Sequence, residues 1–273
     1  MQNNQSNEHA KRRWNRKAVG SQRATSEKGT KNYFNEIENY RYGYETPFIP
    51  RLLCRNVNNK ELLEIGVGNG IDGSQLIKNG AIYTGLDITE NHLKLAETNF
   101  KLNNLPYKAF INGDLLDLSI DEKYDVVYSF GVLHHISHED KYLKRIFYLL
   151  KNDGELRVGL YSKYSFFNIY MFVTWVLKNK CKVPFNHWQG NISDGADFEY
   201  PITIKIRSKK EVLKLYKTAG FKVKSYYKRG FVQNYIPILG KLFDPDGVLL
   251  NFMGSLLGWY HIIIFEKDNN QND

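Results

Sequence analysis

Between residues 61 and 161 the apolar positions switch repeatedly between the rhythm of strands and that of helices. Glu61-Leu62-Leu63-Glu64-Ile65 is a short apolar run that stops at a glycine loop, which reads as a buried strand. Ile71 to Lys78 predicts a helix, and Ala81 to Leu86 a second strand that ends at Asp87. Thr89 stands where it can cap a helix whose Leu93, Ala96 and Phe100 share one face. Tyr107 to Ile111 predicts a third strand, and Tyr124 to Phe130 has the near-continuous apolar run of a parallel strand covered on both sides. Ser137 with Asp140 is a capping signal, and Leu143, Ile146, Phe147 and Leu150 recur at i, i+3, i+4 and i+7. Asn152-Asp153-Gly154 turns into a fifth strand, Glu155 to Tyr161. Such alternation predicts an α/β doubly wound sheet with helices on both faces. Ligands of such sheets bind at the carboxyl ends of the strands, here the loops after Ile65, Leu86, Ile111 and Phe130.

The flanks are organised differently. Phe34, Ile37 and Tyr40 predict an amphipathic helix from Lys31 to Tyr42, stopped by Gly43 and followed by a short helix up to Val57. The alternation breaks over residues 163–207, where an apolar helix from Phe166 to Leu177 precedes a polar stretch, Asn186 to Tyr200. That helix is too short to span a bilayer but long enough to lie against a membrane interface. Ser208-Lys209-Lys210-Glu211 is a capping box, Val212, Leu215, Tyr216 and Ala219 form the apolar face behind it, and Gly220 ends the helix. Phe221 to Tyr227 and Trp259 to Phe265 complete the strands. The expected organisation is a disordered basic tail (1–31), an N-terminal helical cap (32–60) and a core (61–162). A lid insertion (163–207) follows, then completion of the sheet (208–267) with a second insertion (228–258), and a short tail (268–273).

Charge sharpens this division. Net charge is +9, of which residues 1–31, with eight Lys/Arg and two Asp/Glu, carry +6. The remaining chain is therefore close to neutral, and nucleic acid is not an expected partner, because the basic excess has no geometry of its own. Hydrophobic content of 42% and aromatic content of 14% suffice for a large core and exclude global disorder and coiled coil. Two cysteines, Cys54 and Cys181, make neither a disulfide framework nor a cysteine metal site. A polar N-terminus without a leader core, together with this cysteine usage, points to the cytoplasm.

The candidate chemistry begins at Gly66-Val67-Gly68-Asn69-Gly70, where glycine lets the backbone approach a ligand closely. Asp87 ends the next strand, where a carboxylate can accept both hydroxyls of a ribose. Gly68, Gly70 and Gly73 also satisfy G-x-G-x-x-G, which leaves a nicotinamide oxidoreductase as an alternative. Glu64 before the loop and Asp114 after the third strand make an acidic rim, which suits a cationic adenosine ligand without a pyrophosphate better. The sequence resembles the class I S-adenosylmethionine-dependent methyltransferases. The resemblance rests on Leu62 to Gly70, Gly85-Leu86-Asp87-Ile88, Asn112-Gly113-Asp114-Leu115, Tyr124 to Val127 with Gly131 to Ile136, and Leu149 to Gly154, in that order. It implies a Rossmann-like seven-stranded sheet whose last strand is antiparallel. It also implies S-adenosyl-L-methionine as cofactor, with no metal. Under it Glu64, Gly66, Gly68 and Gly70 meet the methionine half, Asp87 the ribose, and Ile88, Asp114 and Leu115 the adenine. Phe130 and Gly131 lie under the sulfonium, and Tyr33 and Arg41 reach in from the N-terminal cap.

For the acceptor, His134 and His135 follow the fourth strand, where an imidazole can take a hydroxyl proton. The same position also suits a histidine that only shapes the pocket. No Asp/Asn-Pro-Pro-aromatic motif stands at Phe130-Gly131-Val132-Leu133, which disfavours base or amide nitrogen as acceptor. The resemblance thus implies methylation of a hydroxyl on a small molecule or glycan precursor, with a C- or N-methyltransferase of a small metabolite as the alternative.

Overall fold

Seven strands make one sheet in the computed structural model, which describes residues 2–16, 20–178, 180–184, 188–194, 202 and 204–268. They are β1 (Glu61–Ile65), β2 (Ile82–Asp87), β3 (Ala109–Asn112), β4 (Tyr124–Phe130), β5 (Leu150–Tyr161), β6 (Phe221–Arg229) and β7 (Tyr260–Lys267). Their spatial order is β3-β2-β1-β4-β5-β7-β6. β1 to β5 run parallel, and β7 is antiparallel to both of its neighbours. This is the Rossmann-like sheet that the pattern and the resemblance predict. The strand order reverses between β1 and β4, so the crevice at their carboxyl ends is the switch point where such sheets bind ligands.

The apolar runs are continuous because both faces of the sheet are covered. In β1 and β4, Leu63 and Val127 point into one core with Leu143, Ile146 and Tyr216, whereas Leu62 and Val126 point into another with Leu76, Tyr83 and Phe100. The covering helices are α4 (Ile71–Lys78), α5 (Glu90–Leu102), α6 (Glu139–Leu149) and α9 (Lys209–Thr218). They are numbered after α1 (Gln2–Arg16), α2 (Lys31–Tyr40) and α3 (Ile49–Leu52), and are joined by α7 (Phe166–Val173), α8 (Trp188–Ser193) and α10 (Val248–Leu257). Ser208 and Glu211 form the expected capping box of α9. Ser137 does not cap α6, which starts from His138 with no side-chain cap. Asn152-Asp153-Gly154 is absorbed into β5 as an irregularity, where the pairing jumps from Tyr124↔Leu150 to Val126↔Glu155.

The expected disordered tail needs correction over α1. Arg13 is 8% exposed and its Nη2 donates to the Asp194 carbonyl oxygen at 2.9 Å. The Trp14 ring meets His135 edge-on at 6.2 Å. Composition registers charge, but an arginine stem and one indole bury apolar surface against a scaffold that already exists. Residues 186–187 and 195–200 of the polar lid stretch, and 269–273 of the C-terminal tail, lie outside the described residues. Among the described residues no helix is long and apolar enough to cross a membrane.

Candidate functional site

The chain leaves β1 through Gly66 (φ 85°) and Gly68 (φ 57°), both in the left-handed region that favours glycine. A Cβ on Gly66 would stand 2.3 Å from Val132 Cγ2, so this glycine lets the loop after β1 pass the loop after β4. A Cβ on Gly68, or on Gly131 (φ 77°), would meet nothing within 4 Å. These two residues border a cavity of about 390 Å³ with bare backbone. An adenosine-type ligand fits such a cradle, because side chains here would occupy its space.

Acidic groups stand at the strand ends around this cradle. Asp87, 5% exposed, accepts the Thr89 N–H at 2.8 Å on Oδ1 and the Gly68 N–H at 3.1 Å on Oδ2. His92 Nδ1 lies 3.2 Å from the same Oδ2. Burial alone would raise the Asp87 pKa, but the bonds from His92, Gly68 and Thr89 outweigh it and hold the carboxyl below its ordinary value. Ile88 follows on the cavity wall. Asp114 reaches the same wall, its Oδ1 accepting the Leu116 N–H at 2.9 Å and the Tyr142 O–H. Glu64, 2% exposed, accepts the Tyr83 O–H at 2.5 Å. Burial, reinforced by the charge of Asp72, pushes its pKa well up.

Arg41 is at the cavity, as expected, but its fork is engaged. Nε and Nη2 donate to Asp72 Oδ1 and Oδ2 at 2.7 and 2.5 Å. Tyr42 and Tyr128 donate to the same carboxylate at 2.7 and 2.6 Å. The guanidinium also lies 5.0 Å over the Phe130 ring. Its two-pronged edge therefore faces Asp72. In the sequence Asp72 reads only as an acidic residue in the first turn of a helix, favourable to the dipole, and that reading hides its role.

Glu64, Gly66, Gly68, Asp87, Ile88, Asp114, Phe130, Gly131, Arg41 and His135 all border the cavity. Four expected residues do not. Tyr33 packs with Phe34, Ile37 and Ile71 in a buried cluster behind the wall. Leu115 is fully buried in the core. Gly70 (φ 74°) is the N-cap of α4, and a Cβ there would stand 2.9 Å from Ala96 Cβ, so it serves helix packing. His134 is fully buried with its ring 3.9 Å from Tyr161, and neither ring nitrogen has a hydrogen-bond partner among the described residues. Burial drives its pKa well below the usual imidazole value.

Sequence reasoning missed His92, which is set opposite Asp87 by the strand-loop-helix turn between them. It also missed most of the far half of the cavity, where Trp14, Tyr40 and Tyr260 join Tyr161, an aromatic that the sequence already offers as a pocket wall. Tyr161 donates to Asp194 Oδ1 at 3.0 Å, and the Tyr260 ring lies 5.0 Å from Phe130. Aromatic faces in this arrangement suit a cationic centre and a flat or apolar acceptor.

Comparison with known proteins agrees with this geometry. A family model described as a methyltransferase domain matches residues 56–220. A phthiotriol/phenolphthiotriol dimycocerosates methyltransferase of Mycobacterium leprae is 33% identical over 104 residues, 37% of this chain and 37% of that protein. A ubiquinone biosynthesis O-methyltransferase of Glaesserella parasuis is 29% identical over 109 residues, 38% of this chain and 46% of that protein. The chain thus spans less than half the length of these curated relatives. The solved structure of a magnesium protoporphyrin IX methyltransferase from Synechocystis, with bound S-adenosylhomocysteine, superposes with a TM-score of 0.55 at 12% identity. That superposition covers 97% of this chain and 95% of the other, and it shows a shared fold.

Proposed function

The chain belongs to the methyltransferase-domain family, with the class I S-adenosylmethionine-dependent fold, and on that premise we propose that it methylates a hydroxyl of a small molecule or glycan precursor in the cytoplasm. S-adenosylmethionine, when bound, supplies an electrophilic methyl group on a cationic sulfur. Asp87 accepts the ribose hydroxyls, with His92, Gly68 and Thr89 fixing its orientation. Glu64 faces the ammonium of the methionine half, and Ile88 and Asp114 border the adenine. Phe130, held by the Arg41 guanidinium, offers its ring to the positive centre. His135 receives the hydroxyl proton, and Trp14 and the docked α1 keep water from the acceptor half.

The observation that carries the hydroxyl reading is the separation of the two histidines. His135 borders the cavity beside Gly131, whereas His134 is sealed behind Tyr161. A base adds roughly 10²–10⁴-fold for a hydroxyl acceptor, beyond what positioning at near-attack distance supplies. The relatives named for O-methylation and for phthiotriol dimycocerosates support a small organic acceptor.

Titration calorimetry with S-adenosylhomocysteine and with NAD tests the cofactor, and only the first is expected to bind. Label from methyl-labelled S-adenosylmethionine is expected on oxygen across a panel of phenols, sugars, amines and carbon acids. Transfer confined to nitrogen or carbon would overturn the hydroxyl assignment.

A further inference from the structure

The lid and the second insertion, which meet at their bases, each expose apolar side chains that the methyl-transfer site does not use. Beyond α7, in the π-helical turn Thr174–Lys178, Leu177 is 72% exposed. Ile238 is 96% exposed in the loop after β6, and Val248, at the start of α10, is 90% exposed. Phe172 and Phe252 add rings to the same two helices, each about half exposed or more (49% and 61%).

These elements adjoin at one end. Lys228 Nζ donates both to the Tyr164 carbonyl at 2.5 Å and to the Leu256 carbonyl at 2.6 Å, so the approach to α7 and the end of α10 meet on one ammonium. The Phe166 ring packs tilted on Tyr235 at 4.7 Å and edge-on to Phe231 at 5.8 Å, which joins the intervening loop to α7.

The charge on the lid side of this surface is all positive, and on the α10 side it is balanced. Residues 163–182 contain Lys163, Lys178, Lys180 and Lys182 and no Asp or Glu, and all four lysines are exposed. At the α10 side Lys241 is exposed, as is Asp244, while Asp246 is bonded to Arg51 at 3.0 Å.

We propose that this face docks on an anionic lipid surface, with α7 and α10 lying shallowly in the interface and the lysines among the headgroups. Monomeric soluble proteins rarely expose apolar patches of this extent without a partner. Apolar helix faces rimmed by lysine are the pattern of interfacial helices. A second copy of the chain is the poorer occupant, because a twofold contact would bring the same lysines against each other. The proposal concerns where the protein sits and does not rest on the identity of the acceptor.

The test is co-sedimentation of the full chain with vesicles of phosphatidylcholine alone or with phosphatidylglycerol added. Binding is expected to the phosphatidylglycerol vesicles, weakened by salt, and at least tenfold less to phosphatidylcholine. Leu177→Glu with Phe252→Glu is expected to reduce partitioning at least tenfold while leaving melting temperature and S-adenosylhomocysteine affinity unchanged. Lys178→Glu with Lys180→Glu is expected to do the same with the apolar side chains retained. Equal binding to both vesicles, or parental binding by both variant pairs, would overturn the proposal. So would a parent that elutes as a dimer and an apolar variant that elutes as a monomer, since the face would then be a self-interface. S-adenosylhomocysteine binding reports separately on the methyltransferase reading.

Discussion

Asp87 and Glu64 are both buried carboxyls at the cavity, yet their environments push them in opposite directions. Asp87→Ala removes one side of a charged hydrogen-bond set. It is expected to weaken S-adenosylhomocysteine binding by about 1.5–3 kcal/mol, read by calorimetry as a roughly tenfold to hundredfold loss. Because its folded pKa is depressed, Asp87 adds stability that is present above the ordinary carboxylate range and lost as pH falls through the folded value. Glu64 has the reverse sign. Its folded pKa is raised, so its ionisation subtracts stability once pH rises past the unfolded value. Glu64→Gln, which still accepts from Tyr83, is expected to raise the melting temperature of the ligand-free protein at pH 7 and to weaken cofactor binding. A melting temperature at pH 7 no higher than that of the parent would contradict this. At the acceptor half, His135→Ala is expected to lower kcat roughly 10²-fold or more with cofactor affinity kept. His134→Ala opens a cavity in the packing against Tyr161 and is expected to act on melting temperature instead. Retained kcat in His135→Ala would remove the base assignment.

Among the elements, the strands and the loops at their carboxyl ends were legible in the sequence, because burial on both faces leaves short near-continuous apolar runs, and their alternation with helix-period segments identifies them. The glycine loop and Asp87 were legible for the same reason: each sits at a strand end, where position alone implies contact with a ligand. Asp72 and Trp14 were not, since each acts across elements distant in sequence, and their neighbours are set by helix packing that local pattern does not encode; His92 was not either, because the turn into α5, five residues beyond Asp87, sets its direction. Leu115 shows the converse error, a residue next to a true wall residue whose side chain turns into the core. Gly159 in β5 belongs to the same class of hidden roles. A Cβ there would stand 2.2 Å from the Phe130 ring. Gly159→Ala is therefore expected to displace that ring and with it the Arg41 stack. The cost is about 1–3 kcal/mol of stability, with a larger proportional loss of cofactor affinity than of melting temperature. Equal affinity in a folded Gly159→Ala protein would show that the ring plays no part in binding.

For the molecule as a whole, α1 is an added layer over a sheet that is complete without it. Deleting residues 1–16 is expected to leave the melting temperature of the ligand-free protein within a few degrees of the parent. It should also speed S-adenosylhomocysteine dissociation about tenfold or more, as for loops whose opening gates release. A large fall in melting temperature would mean that α1 supports the core. The Arg13 contact with the Asp194 carbonyl has a temporal consequence as well. If methyl transfer takes place beneath it, a roof held in part by this guanidinium has to lift once per cycle, after the methyl group has gone, before spent nucleoside can leave. Departure is then expected to be the slow step. The first turnover should appear in rapid-mixing experiments as a burst of about one methylated product per protein, ahead of a slower steady phase. Arg13→Ala should shrink the burst by quickening the phase that follows it, and a linear time course in the parent would show that the roof does not set the pace.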